Sequence, residues 1–181
     1  MTKQKGFTLA ELMVTLAIGT MLVSIAVPNM RSMTLDSKQR GGVNELVSAM
    51  HLARTTAVTT NSRVTVCASD DGAGCGTVAW QKGWIAFVDL DGDRAVDPGE
   101  SIIRTGAEID GMTISSSEFS NFFVYRPNGR IMSTVISVNS GEFAVCDYRG
   151  SEHARRIVLD ISGRPRVITP ADGGSPPSCS S

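Results

Sequence analysis

The chain has 181 residues, 41% hydrophobic and 19% charged, with 17 Lys and Arg against 18 Asp and Glu. That length suits one domain with a real core plus one extra element and excludes two large domains. A formal net charge of −1 provides no global pull toward nucleic acid or an acidic partner, so any such surface must come from local patterning. Only His51, within a predicted helix, and His153, in a predicted loop, are available as imidazoles. No nucleophile elbow or phosphate loop appears, so the sequence sets up no enzyme.

Met1 to Gly6 carries Lys3 and Lys5 and is followed by Phe7 to Val27, an apolar run whose only charge is Glu11. A helix of that length reaches roughly 30 Å, the thickness of a bilayer's hydrocarbon core. The two lysines predict a cytoplasmic start, with the bulk of the chain outside. Ser24-Ile25-Ala26 also has the form of a secretory cleavage site. Glu11 argues against it, because charge in an apolar run is expensive in lipid and is kept for a purpose. Helix-compatible sequence also continues past that point.

Lys5-Gly6-Phe7-Thr8-Leu9-Ala10-Glu11-Leu12-Met13 resembles the class III signal of type IV prepilins and type II secretion pseudopilins. The resemblance implies that a prepilin peptidase cuts after Gly6 and methylates the new N-terminal Phe7. Residues 1–6 are then a leader, and residues 7–28 are retained as a membrane and filament-core helix. Pro28 falls where the family carries a helix-kinking proline. Glu11, fifth after the cut, lies about one helical turn from the new amine, too near its own helix start for that to be its sole partner. In the family the carboxylate of an incoming subunit pairs with the N-terminal amine of its neighbour. Burying either charge alone in lipid costs several kcal/mol, so pairing favours correct axial register. The implied partners are the peptidase, other pilins or pseudopilins and an inner-membrane assembly platform. The implied location is the bacterial inner membrane, single-pass with a periplasmic C-terminal domain, and the pilus or pseudopilus after assembly.

Residues 29–60 remain helix-compatible, and Val43, Leu46, Val47, Met50, Ala53 and Ala57 recur at helical spacing, so one face is predicted to be buried. Gly41-Gly42 is expected to loosen the helix just before this face. Residues 61–169 read as short β-rich runs: 63–68, 79–89, 101–104, 112–116, 121–126, 142–147, 155–161 and 165–169. The predicted class is α+β, a long N-terminal hydrophobic helix packed on an antiparallel sheet. Residues 170–181 form a Gly/Ser/Pro-rich tail, extended unless tied down.

This half is similar to the H-type pseudopilins and the related FimT and FimU minor pilins, through His51 to Val58, Val64 to Cys67, Trp80, Gly83 to Asp89 and Gly163-Arg164-Pro165-Arg166. Four cysteines in an extracytoplasmic domain favour disulfides, and three pairings exist. The pairing expected is Cys67 with Cys75, closing the loop after the first strand, and Cys146 with Cys179, pinning the tail. No pair has the short spacing of a zinc site.

Charge is segregated along the chain. Residues 67–122 hold three basic side chains against ten acidic ones, and residues 123–170 hold seven arginines, no lysine and four acidic residues. Asp89, Asp91, Asp93, Asp97 and Glu100 occupy positions 1, 3, 5, 9 and 12 of a loop, the spacing of calcium ligands in an EF-hand. Arg94 stands at position 6, where that loop needs glycine, and its cation would compete with a metal. A hairpin tip shaped by Asp and Gly is the favoured reading, and no cofactor is expected apart from calcium at this loop. Gly163-Arg164-Pro165-Arg166 resembles the Gly-Arg-x-Arg motif of FimT-type minor pilins that bind DNA. Strand alternation puts Arg164 and Arg166 on one face, with Arg155 and Arg156 as further DNA-contact candidates. The expectation is a filament subunit that primes assembly at the tip of a type IV pilus; for these arginines a solvated face or a subunit contact is the favoured reading, and DNA binding is the competing one. The alternative is an H-type minor pseudopilin of type II secretion.

Overall fold

The computed structural model describes residues 6–133, 139–173 and 175–179. Lys3 and Lys5 lie outside them. The chain divides into two compact units, Met1–Lys38 and Gln39–Ser181. Helix α1 runs Leu9–Thr59. In the first unit its apolar side chains stand exposed, among them Leu12, Leu16, Met21, Leu22 and Ile25. The mean hydropathy of its most apolar 18-residue window is 2.0, long and apolar enough to cross a membrane.

In the second unit, Val43, Leu46, Ala49, Met50, Ala53 and Ala57 of α1 are buried, the face that helical spacing predicts. Among the described residues nine strands follow: β1 Arg63–Ala68, β2 Trp84–Asp89, β3 Ile102–Gly106, β4 Met112–Ser115, β5 Phe122–Tyr125, β6 Ile131–Met132, β7 Gly141–Asp147, β8 Arg155–Leu159 and β9 Pro165–Ile168. They form two antiparallel sheets where one was expected, in the orders β3-β2-β1-β5-β6 and β4-β7-β8-β9. Residues 79–89, expected as a single strand, are strand only over β2. Trp80–Lys82 instead makes a 3-10 turn ending at Gly83, φ 135°. A side chain at Gly83 would press on the carbonyl oxygens of Ser69 and Gly106. Gln81 in that turn accepts the Ile114 N–H at 3.1 Å through its side chain, closing the outer edge of β4. That leaves β9 as the open edge of the four-stranded sheet.

The interior is aromatic. Trp80 packs edge-on against Phe143 at 5.1 Å between ring centroids, and Phe119 and Phe123 lie 5.2 Å apart. The buried Trp80 indole N–H donates to the Phe119 carbonyl at 2.8 Å, so this large ring enters the core with its one polar atom satisfied. The alanines at 49, 53 and 57 leave room on the helix for these rings. The expected role of Gly41-Gly42 changes in part. A side chain at Gly41 would meet open space, whereas one at Gly42 would collide with Ile109, so Gly42 serves close packing.

Gln39 opens the second unit and is buried. Its amide donates to the Val145 carbonyl at 3.1 Å and its oxygen accepts from Arg155 Nε at 3.1 Å, which ties the helix to β7 and to the start of β8. Beyond β7, burial opposes ionisation of the Asp147 carboxyl. The Arg149 guanidinium, at 2.7 Å, and the Arg149 backbone N–H more than offset this and hold it below the usual carboxylate range.

Candidate functional site

Gly6 and Phe7 are exposed, Phe7 to 88%. Thr8 caps the helix that begins at Leu9. Glu11 Oε2 accepts from the Thr8 N–H at 2.9 Å and from its hydroxyl at 3.0 Å, while Thr8 Oγ1 accepts the Glu11 N–H at 3.3 Å. This is a reciprocal capping box. Within one chain Glu11 therefore orders the helix start directly beside the Gly6–Phe7 bond, and its carboxylate remains at the surface. The sequence signal for this local role is Thr8-x-x-Glu11 at the head of an apolar run, and it stands beside the intermolecular pairing that the resemblance implies.

The cysteines pair as Cys67–Cys75 and Cys146–Cys179. The second bond closes a separation of 33 residues and fixes the tail after β9 onto β7. In the chain-entropy picture a loop of that size is worth about 3–4 kcal/mol. Pro177 beside it is buried.

The acidic loop joins β2 to β3. Asp89, Asp91 and Asp93 bring ligand oxygens within 4.8 Å of one another. Each is already engaged by its own loop. Asp89 accepts the Thr65 hydroxyl at 2.5 Å and the Gly92 N–H at 2.6 Å; Asp91 accepts from Asp93 N–H and Asp93 from Ala95 N–H. Glu100 accepts the N–H groups of Leu90 and Asp97. Asp93, then Asp91 and Glu100, crowd Asp97 and raise its pKa. Arg94 does adopt the left-handed backbone expected of glycine there, φ 70°, but its guanidinium lies 4.7 Å from the Phe122 ring centre, so it closes the loop over the outer face of the sheet. Asp89, Asp91, Asp93 and Glu100 thus each accept an N–H of the loop, which supports the turn reading. Calcium is expected to leave the melting temperature unchanged with or without chelator; a rise of several degrees abolished by chelator would assign the ion to this loop.

The arginine candidates separate into two pairs. Arg164 and Arg166 are exposed and flank the buried Pro165 at the start of β9. Arg156 shares the sheet face of Arg166, which stands opposite Val158 in the register, whereas Arg155 lies on the other face. Arg155 is spent on Gln39, and Arg156 Nη1 pairs with Glu142 Oε2 at 3.2 Å. Both are half-buried because their strand lies inside the sheet. The turn before Arg164 is clamped. Ser162 donates to the Asp160 carboxylate through its hydroxyl at 2.5 Å and its N–H at 2.9 Å, holding that carboxyl below its ordinary range. Gly163 is buried at φ 71°, and its carbonyl accepts the Tyr125 hydroxyl at 3.1 Å. Burial raises the Tyr125 pKa far above its ordinary value, so the phenol stays a donor. Arg54 Nε donates to the Ser162 carbonyl at 3.1 Å. Sequence reading gave Arg54 and Tyr125 no role. Only the Gly-Arg-x-Arg spacing marked the site, since their contribution comes from residues far away in the chain.

A helix headed by a cleavable, cappable apolar segment and continued into an antiparallel β domain defines a pilin-like subunit. Residues 42–163 match the family of type II transport protein GspH, and residues 1–27 match the prokaryotic N-terminal methylation motif. The chain belongs to the GspH family, whose members are structural subunits of the minor pilin and pseudopilin kind. It carries a prokaryotic N-terminal methylation motif at the head of a helix long and apolar enough to cross a membrane. Two crystal structures of the Pseudomonas aeruginosa type IV minor pilin FimU share its fold at 19% identity. One has a TM-score of 0.62, covering 82% of this chain and 99% of that one; the other, 0.58, covers 78% and 99%. The minor pseudopilin EpsH from the type II secretion system of Vibrio cholerae aligns at 0.51 with 8% identity, over 74% of this chain and 98% of its own. No curated protein sequence matches.

Proposed function

We propose that this chain is a minor pilin of a type IV pilus that joins the filament tip, helps prime assembly and contacts DNA through Arg164 and Arg166. The observation that carries the DNA reading is the pair of exposed arginines on the open edge of the four-stranded sheet, presented by a turn that Gly163, Tyr125 and Arg54 hold rigid. Guanidinium groups on a fixed edge suit phosphate oxygens, and such contacts are independent of base sequence and sensitive to salt. Before assembly the protein sits in the inner membrane with its β domain in the periplasm, consistent with Lys3 and Lys5 preceding the span. A prepilin peptidase frees and methylates Phe7, and an inner-membrane assembly platform takes up the product.

A titration of labelled duplex DNA with residues 39–181 at two salt concentrations tests the reading. Arg164→Ala with Arg166→Ala is expected to weaken binding at least tenfold and to lower the salt slope by about 2. Absence of binding in the unsubstituted protein would favour the second reading, an H-type minor pseudopilin of type II secretion, which the family match supports equally well.

A further inference from the structure

Two turns from different sheets meet at one end of the second unit. The β5–β6 turn is closed by the Gly129 N–H donating to the Arg126 carbonyl at 2.8 Å and the Arg126 N–H donating to the Arg130 carbonyl at 2.9 Å. The β8–β9 turn lies directly against it, since a side chain at Gly163 would strike the Gly129 carbonyl. Both turns bring glycine to this contact, so backbone meets backbone. Arg54 of α1 joins them. Its Nε donates to the Ser162 carbonyl at 3.1 Å, and a side chain at Gly129 would stand 3.1 Å from its Nη2.

The junction gathers positive charge. Residues 122–132 hold Arg126 and Arg130 and no acidic side chain, and residues 160–168 hold Arg164 and Arg166 against Asp160, which Ser162 already engages. Arg126 is partly committed, its Nε donating to Met132 Sδ at 3.1 Å, whereas Arg130 and Arg164 are exposed. Each of these two directly follows a glycine of the touching pair, so their Cα atoms lie no more than about 12 Å apart. Like charges brought together in this way oppose folding, a cost that an anion spanning both turns would offset.

We infer that the β5–β6 turn is the second half of the phosphate-binding surface, with Arg130 contacting the DNA backbone beside Arg164. The inference rests on the DNA reading above and extends it from one sheet edge to two abutting turns. Duplex DNA carries a negative charge for every ~1.7 Å of its axis, so a span of about 12 Å meets several phosphates. Arginines drawn from two turns can then neutralise more of them than Arg164 and Arg166 alone. Planar guanidinium groups suit such oxygens, and nothing in the contact depends on base identity. Arg130 is a contact residue, whereas Arg54 is a positioning residue, because its hydrogen bond and packing are directed at the turns.

The test titrates labelled duplex DNA with the full chain in nonionic detergent micelles over a series of salt concentrations. Arg130→Ala is expected to weaken binding about fivefold and to lower the salt slope by about 1, while Arg130→Lys, which keeps the charge, should keep the slope. Arg104→Ala is the control: its side chain is exposed on β3, at the opposite edge of the five-stranded sheet from β6, and its loss removes the same charge. It should change neither quantity. Thermal unfolding should place the Arg130 and Arg104 variants within about 1 °C of the unsubstituted chain, since both side chains are exposed. Unchanged binding by Arg130→Ala, or an equal loss in Arg104→Ala, would overturn the inference and leave the Arg164 and Arg166 reading standing. An unsubstituted chain that binds no DNA would overturn both.

Discussion

Glu11→Ala is expected to leave membrane insertion intact and to cut incorporation into filaments at least tenfold, because an amine left unpaired in lipid costs several kcal/mol. Alkaline extraction of membranes measures the first and the sheared filament fraction the second. The capping box adds a local effect that must be separated. Losing the Thr8 contacts should fray the helix start by roughly 1 kcal/mol even in a lone chain. Glu11→Gln separates the two, since a glutamine can still complete the box while carrying no charge. If the charge drives assembly, Glu11→Gln fails as Glu11→Ala does. Normal incorporation of either variant would end the pairing mechanism.

Gly163→Ala should destabilise the β domain strongly. It places a side chain at φ 71° and drives it into the Gly129 carbonyl and toward the Tyr125 ring. Left-handed strain and a backbone collision together cost roughly 2–4 kcal/mol, a fall in Tm of about 10 °C by thermal unfolding. The DNA reading adds a second expectation. Even below the new Tm, binding should weaken with Arg164 and Arg166 both intact, because the turn that aims them has moved. Arg166→Ala alone should leave Tm within about 1 °C, since the side chain is exposed. A Gly163→Ala protein that melts normally would show that the Gly129 contact is loose.

The helix and most strands were legible because their signals are local. Apolar spacing from Val43 to Ala57 is read directly, and strand runs such as 63–68 are bounded by turn residues. What escaped depended on distant partners. The division into two sheets rests on which strands pair, β4 with β7 and β5 with β1, and those partners lie far apart in the chain. β6 is two residues long and exists only by pairing with β5. The arginine-rich half looked like one basic surface, yet Arg155 and Arg156 are absorbed by Gln39 and Glu142, which composition cannot reveal. Acidic loop spacing was compatible with a turn or a metal site, and the backbone geometry adds that Asp89, Asp91 and Asp93 each accept an N–H of their own turn. The Gly-Arg-x-Arg element was visible as a motif, but its glycine proved to be the structural member and its arginines the exposed ones.

The Cys146–Cys179 bond also sets an order of events for biosynthesis. Its two halves bracket β8, the Gly163 turn and β9, so an oxidase cannot seal the domain until that whole hairpin has been delivered to an oxidising compartment. Cys67–Cys75, with a separation of only 8, can close far earlier. The arginine-bearing edge is therefore among the last surfaces to mature, and a newly made subunit passes through an interval in which it is anchored and helical but has no finished β9 edge to offer.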